Sequence, residues 1–228
     1  MSRDLLILDF DGTLCLGDAP VLAYASEIAR AVGEPEASIR TPLEAFLSGE
    51  DSTRFAGCAD GYSAVALWAR AHHLDESSMS AAYLASREVL ESGALAIETP
   101  AGIEDFLRAF AHWERVLVTN APTAGTELLV ERLGLAPLLD RVIGDAGKPE
   151  GLHRYTEPGA DGDPRERGRT LSIGDIWRND LEPVAHVAAT ALVERHAQPD
   201  ARPTFRAPRI EDLYDVIAHW CTSPSTPA

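Results

Sequence analysis

The sequence predicts an α/β protein: a parallel sheet covered on both faces, with a helical segment inserted near its start. Three observations lead there. Short apolar runs ending in polar signatures recur along the 228-residue chain. Helix-forming stretches lie between most of these runs, the alternation that builds a parallel sheet. One stretch of about eighty residues carries helical patterns and no strand.

Residues 4–9, DLLILD, form the first run, closed by an acidic residue and then Gly12. A continuous apolar run of this length fits a strand buried on both faces. RVLVTN (115–120), LLDRVIGD (138–145) and RTLSIGD (169–175) repeat the form, and ATALVE (189–194) is a fifth, weaker strand. Helical patterns fall at about 100–112, 122–134, 179–188 and 210–220. Between 16 and 97, helices are expected near 19–32, 41–48, 60–73 and 77–92, separated by Gly33-Glu34-Pro35, Gly49 and Gly93. The expected organisation is a core domain of residues 1–15 and 98–228, interrupted by a helical domain at 16–97. The insertion leaves the sheet at the C-terminal end of its first strand. Open parallel sheets bind ligands at those ends, so the insertion is expected to cap the ligand site. TEPGADGDPRERGR (156–169) reads as a mobile loop and CTSPSTPA as a frayed tail.

Composition narrows the function. Hydrophobic residues make up 45% and charged residues 25%, with a formal net charge of −16. Such a surface repels nucleic acid and anionic membranes. An anionic substrate would have to be attracted locally, by a metal ion, a lysine or backbone amides. Cys15, Cys58 and Cys221 show neither paired nor metal-ligand spacing, so free thiols and a cytoplasmic location are expected. No run approaches the roughly 20 apolar residues of a membrane span, and the N-terminus does not read as a signal peptide. Oligomeric state is not legible.

Four strand ends carry chemistry. Asp9-Phe10-Asp11-Gly12-Thr13 places two carboxylates two residues apart, with a glycine that lets the chain turn at once. An aspartate backed by a metal ion can attack phosphorus, and a second can exchange protons with the leaving oxygen and with water. Thr119-Asn120 offers a hydroxyl, an amide and the start of a helix to phosphate oxygens, and Pro122 suits that helix's first turn. Lys148 can neutralise phosphate and a nucleophilic carboxylate together. Gly147-Lys148 imitates a nucleotide-binding loop, but Pro149 replaces the required Ser/Thr. SIGDIWRND supplies Asp175, Asn179 and Asp180, and Mg²⁺ favours such an oxygen set. Taken singly, each has an ordinary structural reading: an Asx turn, a helix cap, a surface lysine, an N-cap cluster. Together they require four coincidences, in order, at successive strand ends.

Order and spacing resemble the haloacid dehalogenase-like superfamily, over about 1–15 and 98–195. The resemblance implies a Rossmann-like core in which Asp9 is the nucleophile and Asp11 the general acid/base. It implies that Thr119, Asn120 and Lys148 bind phosphate. Mg²⁺ would be held by Asp9, Asp175 and the carbonyl of Asp11, with Asn179 and Asp180 supporting the site. The helical insertion resembles the family's C1-type cap. The expected activity is Mg²⁺-dependent hydrolysis of a small phosphorylated metabolite through an aspartyl-phosphate. A sugar phosphomutase, or a phospho-ligand-binding protein without catalysis, are the alternatives. Asp11 disfavours the dehalogenases and phosphonatases, which lack an Asp there. The residues after the first motif, LCLGD, and the short helix expected after Lys148 depart from the family pattern.

Other polar residues carry less. His72 and His73 could touch substrate but read first as partly exposed helix residues of the insertion; Arg40, Arg54 and Arg70 could contact an anion, Arg54 before the others, though a solvated face explains them as well. Cys15 reads as an apolar filler and Trp177 as packing. Arg165, Arg167 and Arg169 are expected at the N-terminal edge of the sheet, away from the motifs.

Overall fold

The computed structural model describes residues 3–156 and 168–222. Six strands form one sheet: β1 (Leu5–Leu8), β2 (Glu114–Val118), β3 (Arg141–Ile143), β4 (Thr170–Gly174), β5 (Ala189–Val193) and β6 (Phe205–Ala207). Their order is β3-β2-β1-β4-β5-β6, and every pairing is parallel. Register is tight: Leu5 stands opposite Glu114 on one side and Thr170 on the other.

The apolar runs are explained by burial on both faces. Leu5 and Ile7 join Val116, Val118, Ala146, Leu152 and Val184 in one cluster, while Leu6 and Leu8 are fully buried on the opposite face. On the β5 side, Trp177, Leu181, Leu192 and Ala201 pack together. The helices of this unit are α5 (Ile103–Ala109), α6 (Thr123–Arg132), α7 (His153–Thr156) and α8 (Tyr214–Thr222), numbered after the four of the insertion.

Two expectations are corrected. The chain has a sixth strand, β6, which carries Arg206 and lacks an apolar run. The helix expected at 179–188 is absent. A π-turn at Trp177–Leu181 runs into a 3₁₀ turn at Glu182–Val184. Pro183 has no N–H to continue an α-helix there.

The chain divides into two compact units, one of 1–15, 99–195 and 199–228, the other of 16–98 with 196–198. The second is helical: α1 (Ala19–Val32), α2 (Ala37–Ser48), α3 (Gly61–Ala71) and α4 (Glu76–Glu91). It has its own core, including Ile28, Leu43, Phe46, Val65, Trp68 and Met79. His196 belongs with this unit because its ring stacks on Phe46 at 4.1 Å. Local signals set the helix ends. Asp60 and Ser63 form a reciprocal capping box for α3, and Asp75 accepts the Ser78 N–H at 2.7 Å to start α4. Helix α2 starts at Ala37, upstream of the expected 41, and includes Pro42. No helix among the described residues is long and apolar enough to cross a membrane.

Candidate active site

Because all strands are parallel, the residues that follow β1, β2, β3 and β4 emerge along one edge. Asp9 follows β1 directly, is buried, and donates its backbone N–H to Ile173 O at 2.9 Å. The chain then turns sharply. The amides of Thr13, Leu14 and Cys15 all point to Phe10 O, and Gly12 donates to Cys15 O at 3.0 Å. Phe10 and Thr13 are fully buried, while Asp11 is partly exposed. Gly12 has φ +82°, and a Cβ there would lie 2.3 Å from Asp175 Oδ2. Conformation and space both require glycine at this position.

After β2, Thr119 is buried and its Oγ1 accepts the Ala121 N–H at 3.2 Å. Asn120 directs its carboxamide to the segment after β3. Its Oδ1 accepts the Lys148 N–H at 2.7 Å, and its Nδ2 donates to Lys148 O at 3.1 Å. Lys148 extends its buried side chain to place Nζ 2.6 Å from Asp9 Oδ1 and 2.6 Å from Asp180 Oδ1.

After β4, Asp175 lies against Gly12 and the π-turn brings Asp180 back over Gly174. A Cβ on Gly174 would lie 2.4 Å from Asp180 Cβ. Asp180 Oδ2 accepts the Ile176 N–H at 2.9 Å, and its carbonyl accepts the Ser172 hydroxyl at 2.8 Å. Single π-turns often occur at functional sites. Asn179 joins this turn by donating its backbone N–H to Ile176 O at 3.1 Å.

The structure thus brings Asp9, Lys148, Asp175 and Asp180 together. One carboxylate oxygen from each aspartate lies within 4.8 Å of the others. Burial alone would lower the affinity of Lys148 for its proton, but the flanking Asp9 and Asp180 outweigh it and hold the amine protonated. Burial, and then the charge of Asp9, push Asp180 up to about 7, against the opposing pull of Lys148. Three carboxylates and one ammonium together carry a net charge of −2 when all are ionised. A hard divalent cation fits this donor set. Mg²⁺ is bound through one or two carboxylates, with waters and phosphate oxygens completing its shell.

Two residues that the sequence did not single out shape this site. Ser172 is buried inside β4 and holds Asp180 by its carbonyl. Asp145, at φ +49°, accepts both the N–H and the hydroxyl of Thr123 at the start of α6. The sequence offered no signal for Ser172. Asp145 was visible only as an acidic residue at a strand end.

The remaining polar residues have other surroundings. His72 stacks on Trp68 at 3.7 Å, Arg40 pairs with Glu36 and Glu44, and Arg70 pairs with Glu76. Arg169 donates to Asp4 and lies over Trp113 and Trp220, next to the start of β4. Arg165, Arg167, nearly all of the 156–169 loop and most of the C-terminal tail lie outside the described residues.

No family model matches the chain, and no curated protein matches it. Solved structures do. A predicted phosphoglycolate phosphatase from Haemophilus somnus matches with a TM-score of 0.63 at 16% identity, covering 93% of this chain and 97% of its own. The candidate HAD-hydrolase YfnB from Bacillus subtilis, bound to magnesium, matches with a TM-score of 0.59 at 17% identity, covering 95% and 99%. The L-2-haloacid dehalogenase from Xanthobacter autotrophicus matches with a TM-score of 0.54 at 17% identity, covering 95% and 98%. Identities this low show a shared fold.

Proposed function

We propose that this chain, which has the fold of the haloacid dehalogenase-like hydrolases, is a Mg²⁺-dependent phosphatase that transfers the phosphoryl group of a small monoester to Asp9. The observation that carries this reading is the convergence of Asp9, Asp175 and Asp180 on one another, with Lys148 bonded to two of them.

In this reading Asp9 attacks phosphorus with a carboxylate oxygen, and the P–O bond to the alcohol breaks. Asp11 gives its proton to the departing oxygen. It then takes a proton from the water that attacks the aspartyl-phosphate, which releases phosphate and restores Asp9. Proton transfer of this kind contributes about 10²–10⁴-fold in rate. Lys148 stays protonated, fixes one oxygen of Asp9 and offers positive charge to the phosphoryl group. Thr119 offers its hydroxyl to the same group. Asp9, Asp175 and the carbonyl of Asp11 would hold Mg²⁺, which when bound supplies positive charge to offset the carboxylates and the phosphoryl oxygens. Asp180 keeps Lys148 in place, and Asn179 supports the turn that carries it.

The fold is shared with a dehalogenase, so chemistry must be argued from the site. Expelling halide requires neither a proton donor for the leaving group nor a cluster of anions beside it. Asp11 and the three-carboxylate cluster suit phosphoryl transfer. One structural neighbour is called a phosphoglycolate phosphatase, which puts phosphoglycolate among the esters to try.

The test is inorganic phosphate release from a panel of small phosphorylated metabolites and an aryl phosphate, with Mg²⁺ or chelator. Wild type should require the metal, and Asp9→Asn should be folded and inactive. Turnover by Asp9→Asn at the wild-type rate would refute the mechanism.

A further inference from the structure

Resting on the phosphoryl-transfer reading, we propose that Asn120 is a positioning residue that acts through Lys148: its carboxamide clamps the lysine's backbone on both sides of Cα and so fixes where the amine is delivered.

Lys148 needs such a clamp. Its neighbours are Gly147, at φ +66°, and Pro149, which has no N–H to anchor the loop. Yet its amine must meet Asp9 and Asp180 together, at 2.6 Å each. A lysine reaches through four carbons, so a loose backbone would spread the amine over many positions.

Asn120 supplies what a neighbouring strand would. Its oxygen accepts the Lys148 N–H at 2.7 Å, and its amide nitrogen donates to the Lys148 carbonyl at 3.1 Å. The two partners lie 28 residues apart in sequence. Backbone bonds extend the seam: Ala146 donates to Thr119 O at 3.1 Å, and Asp145 donates to Ala121 O at 2.8 Å. The loop after β2 and the loop after β3 are therefore stitched, with Asn120 holding the end that carries the amine. A carboxamide can accept and donate at once here, through two separate atoms; a carboxylate can only accept. Binding phosphate with this side chain would compete with the clamp.

A double-mutant cycle separates the two roles. The variants are Asn120→Ala, Lys148→Met and the pair, each with Mg²⁺. One readout is kcat and KM for an aryl phosphate. The other is the affinity for inorganic phosphate by calorimetry, which needs no turnover. Asn120→Ala alone should lower kcat by about 10–100-fold, the scale of a misplaced catalytic group, with a smaller change in KM. In the Lys148→Met background it should change neither kcat nor phosphate affinity. An equal loss in both backgrounds would show that Asn120 contacts phosphate directly and would overturn the proposal. No loss in either background would overturn it as well.

Melting temperatures accompany each variant. If Asn120→Ala does not fold, Asn120→Asp enters the same cycle; it keeps the acceptor for the Lys148 N–H and loses the donor. Wild-type protein that binds phosphate but releases none retires the phosphatase reading, and the calorimetric cycle still decides the role of Asn120. Wild-type protein that neither binds nor releases phosphate overturns both.

Discussion

The carboxylate of Asp175 stands where a side chain on Gly12 would have to go. A Cβ on Gly12 would meet Asp175 Oδ2 at 2.3 Å, and Gly12 also has φ +82°. Two motifs about 160 residues apart in sequence are therefore fitted to each other by the absence of one methyl group. Gly12→Ala should cost about 1–3 kcal/mol from backbone strain alone, and it should also displace Asp175 and abolish Mg²⁺-dependent turnover. Gly33 provides the control. It has the same φ, +82°, but nothing lies within 4 Å of its Cβ position. Gly33→Ala should lose about the same 1–3 kcal/mol from backbone strain and keep full activity. Thermal melts and phosphate release on both variants decide the matter: equal activity losses would show that strain, and not the Asp175 contact, governs the effect.

Ser172 leads to a second prediction. Its buried hydroxyl donates to the carbonyl of Asp180 at 2.8 Å. Ser172→Ala leaves that carbonyl without this donor, and losing a buried hydrogen-bond partner costs about 1–3 kcal/mol. The π-turn carrying Asp180 should loosen, so turnover should fall with stability. A variant that loses stability and keeps the wild-type kcat would show that the turn holds its shape without Ser172.

Much of this architecture was legible because it is written in local patterns. LLIL is apolar throughout, and ERVLV is apolar from Val116 onward, since both faces of the central strands are covered, and polar residues resume where the chain leaves the sheet. Strand β6 was not legible. Phe205–Ala207 is a three-residue edge strand whose partner, β5, supplies the order. A helix is expected over 179–188, and the π-turn at Trp177–Leu181 stands at its start instead, with Asp180 folded back onto the Ile176 N–H and its carbonyl held by Ser172. Asn120 illustrates the general difficulty. Its position before a helix suggested a phosphate ligand, while its bonds reach a backbone 28 residues away. Residue types at strand ends can be read from sequence, but which of them touch depends on how neighbouring loops close.

Asp180 links pH to metal binding. Its carboxyl is pushed up from 3.8 to about 7, first by burial and then by Asp9. The folded state therefore holds this proton more tightly than the unfolded chain does. The associated stability is present below about 4 and is lost as pH rises towards 7. A bound cation offsets the surrounding negative charge and lowers the proton's affinity. The rise in Tm on adding Mg²⁺ should thus be larger at pH 8 than at pH 5. At a hundredfold excess over Kd the stabilisation is about 2.7 kcal/mol, or roughly 5–10 °C for a chain of this size. An equal Mg²⁺ shift at both pH values would contradict the linkage. Asp180→Asn should flatten the difference, since the amide does not titrate.

Asp11 can be tested through its leaving group. Asp9 is buried, bonded to Lys148 and part of the three-carboxylate cluster, whereas Asp11 is partly exposed on the following turn. This separation suits a division of labour in which Asp9 forms the bond to phosphorus and Asp11 moves the proton. An alkoxide departs poorly unless it is protonated as the P–O bond breaks; a nitrophenolate departs well without help. Asp11→Asn should therefore slow phosphoenzyme formation from an alkyl phosphate by about 10²–10⁴-fold, and much less from 4-nitrophenyl phosphate. The later hydrolysis step needs a proton taken from water whichever ester was used. With the aryl substrate, the variant should accordingly show a burst of nitrophenol followed by slow turnover. Equal slowing of both esters in the first step, with no burst, would assign the proton transfer to another group and leave Asp11 with the placement of its carbonyl.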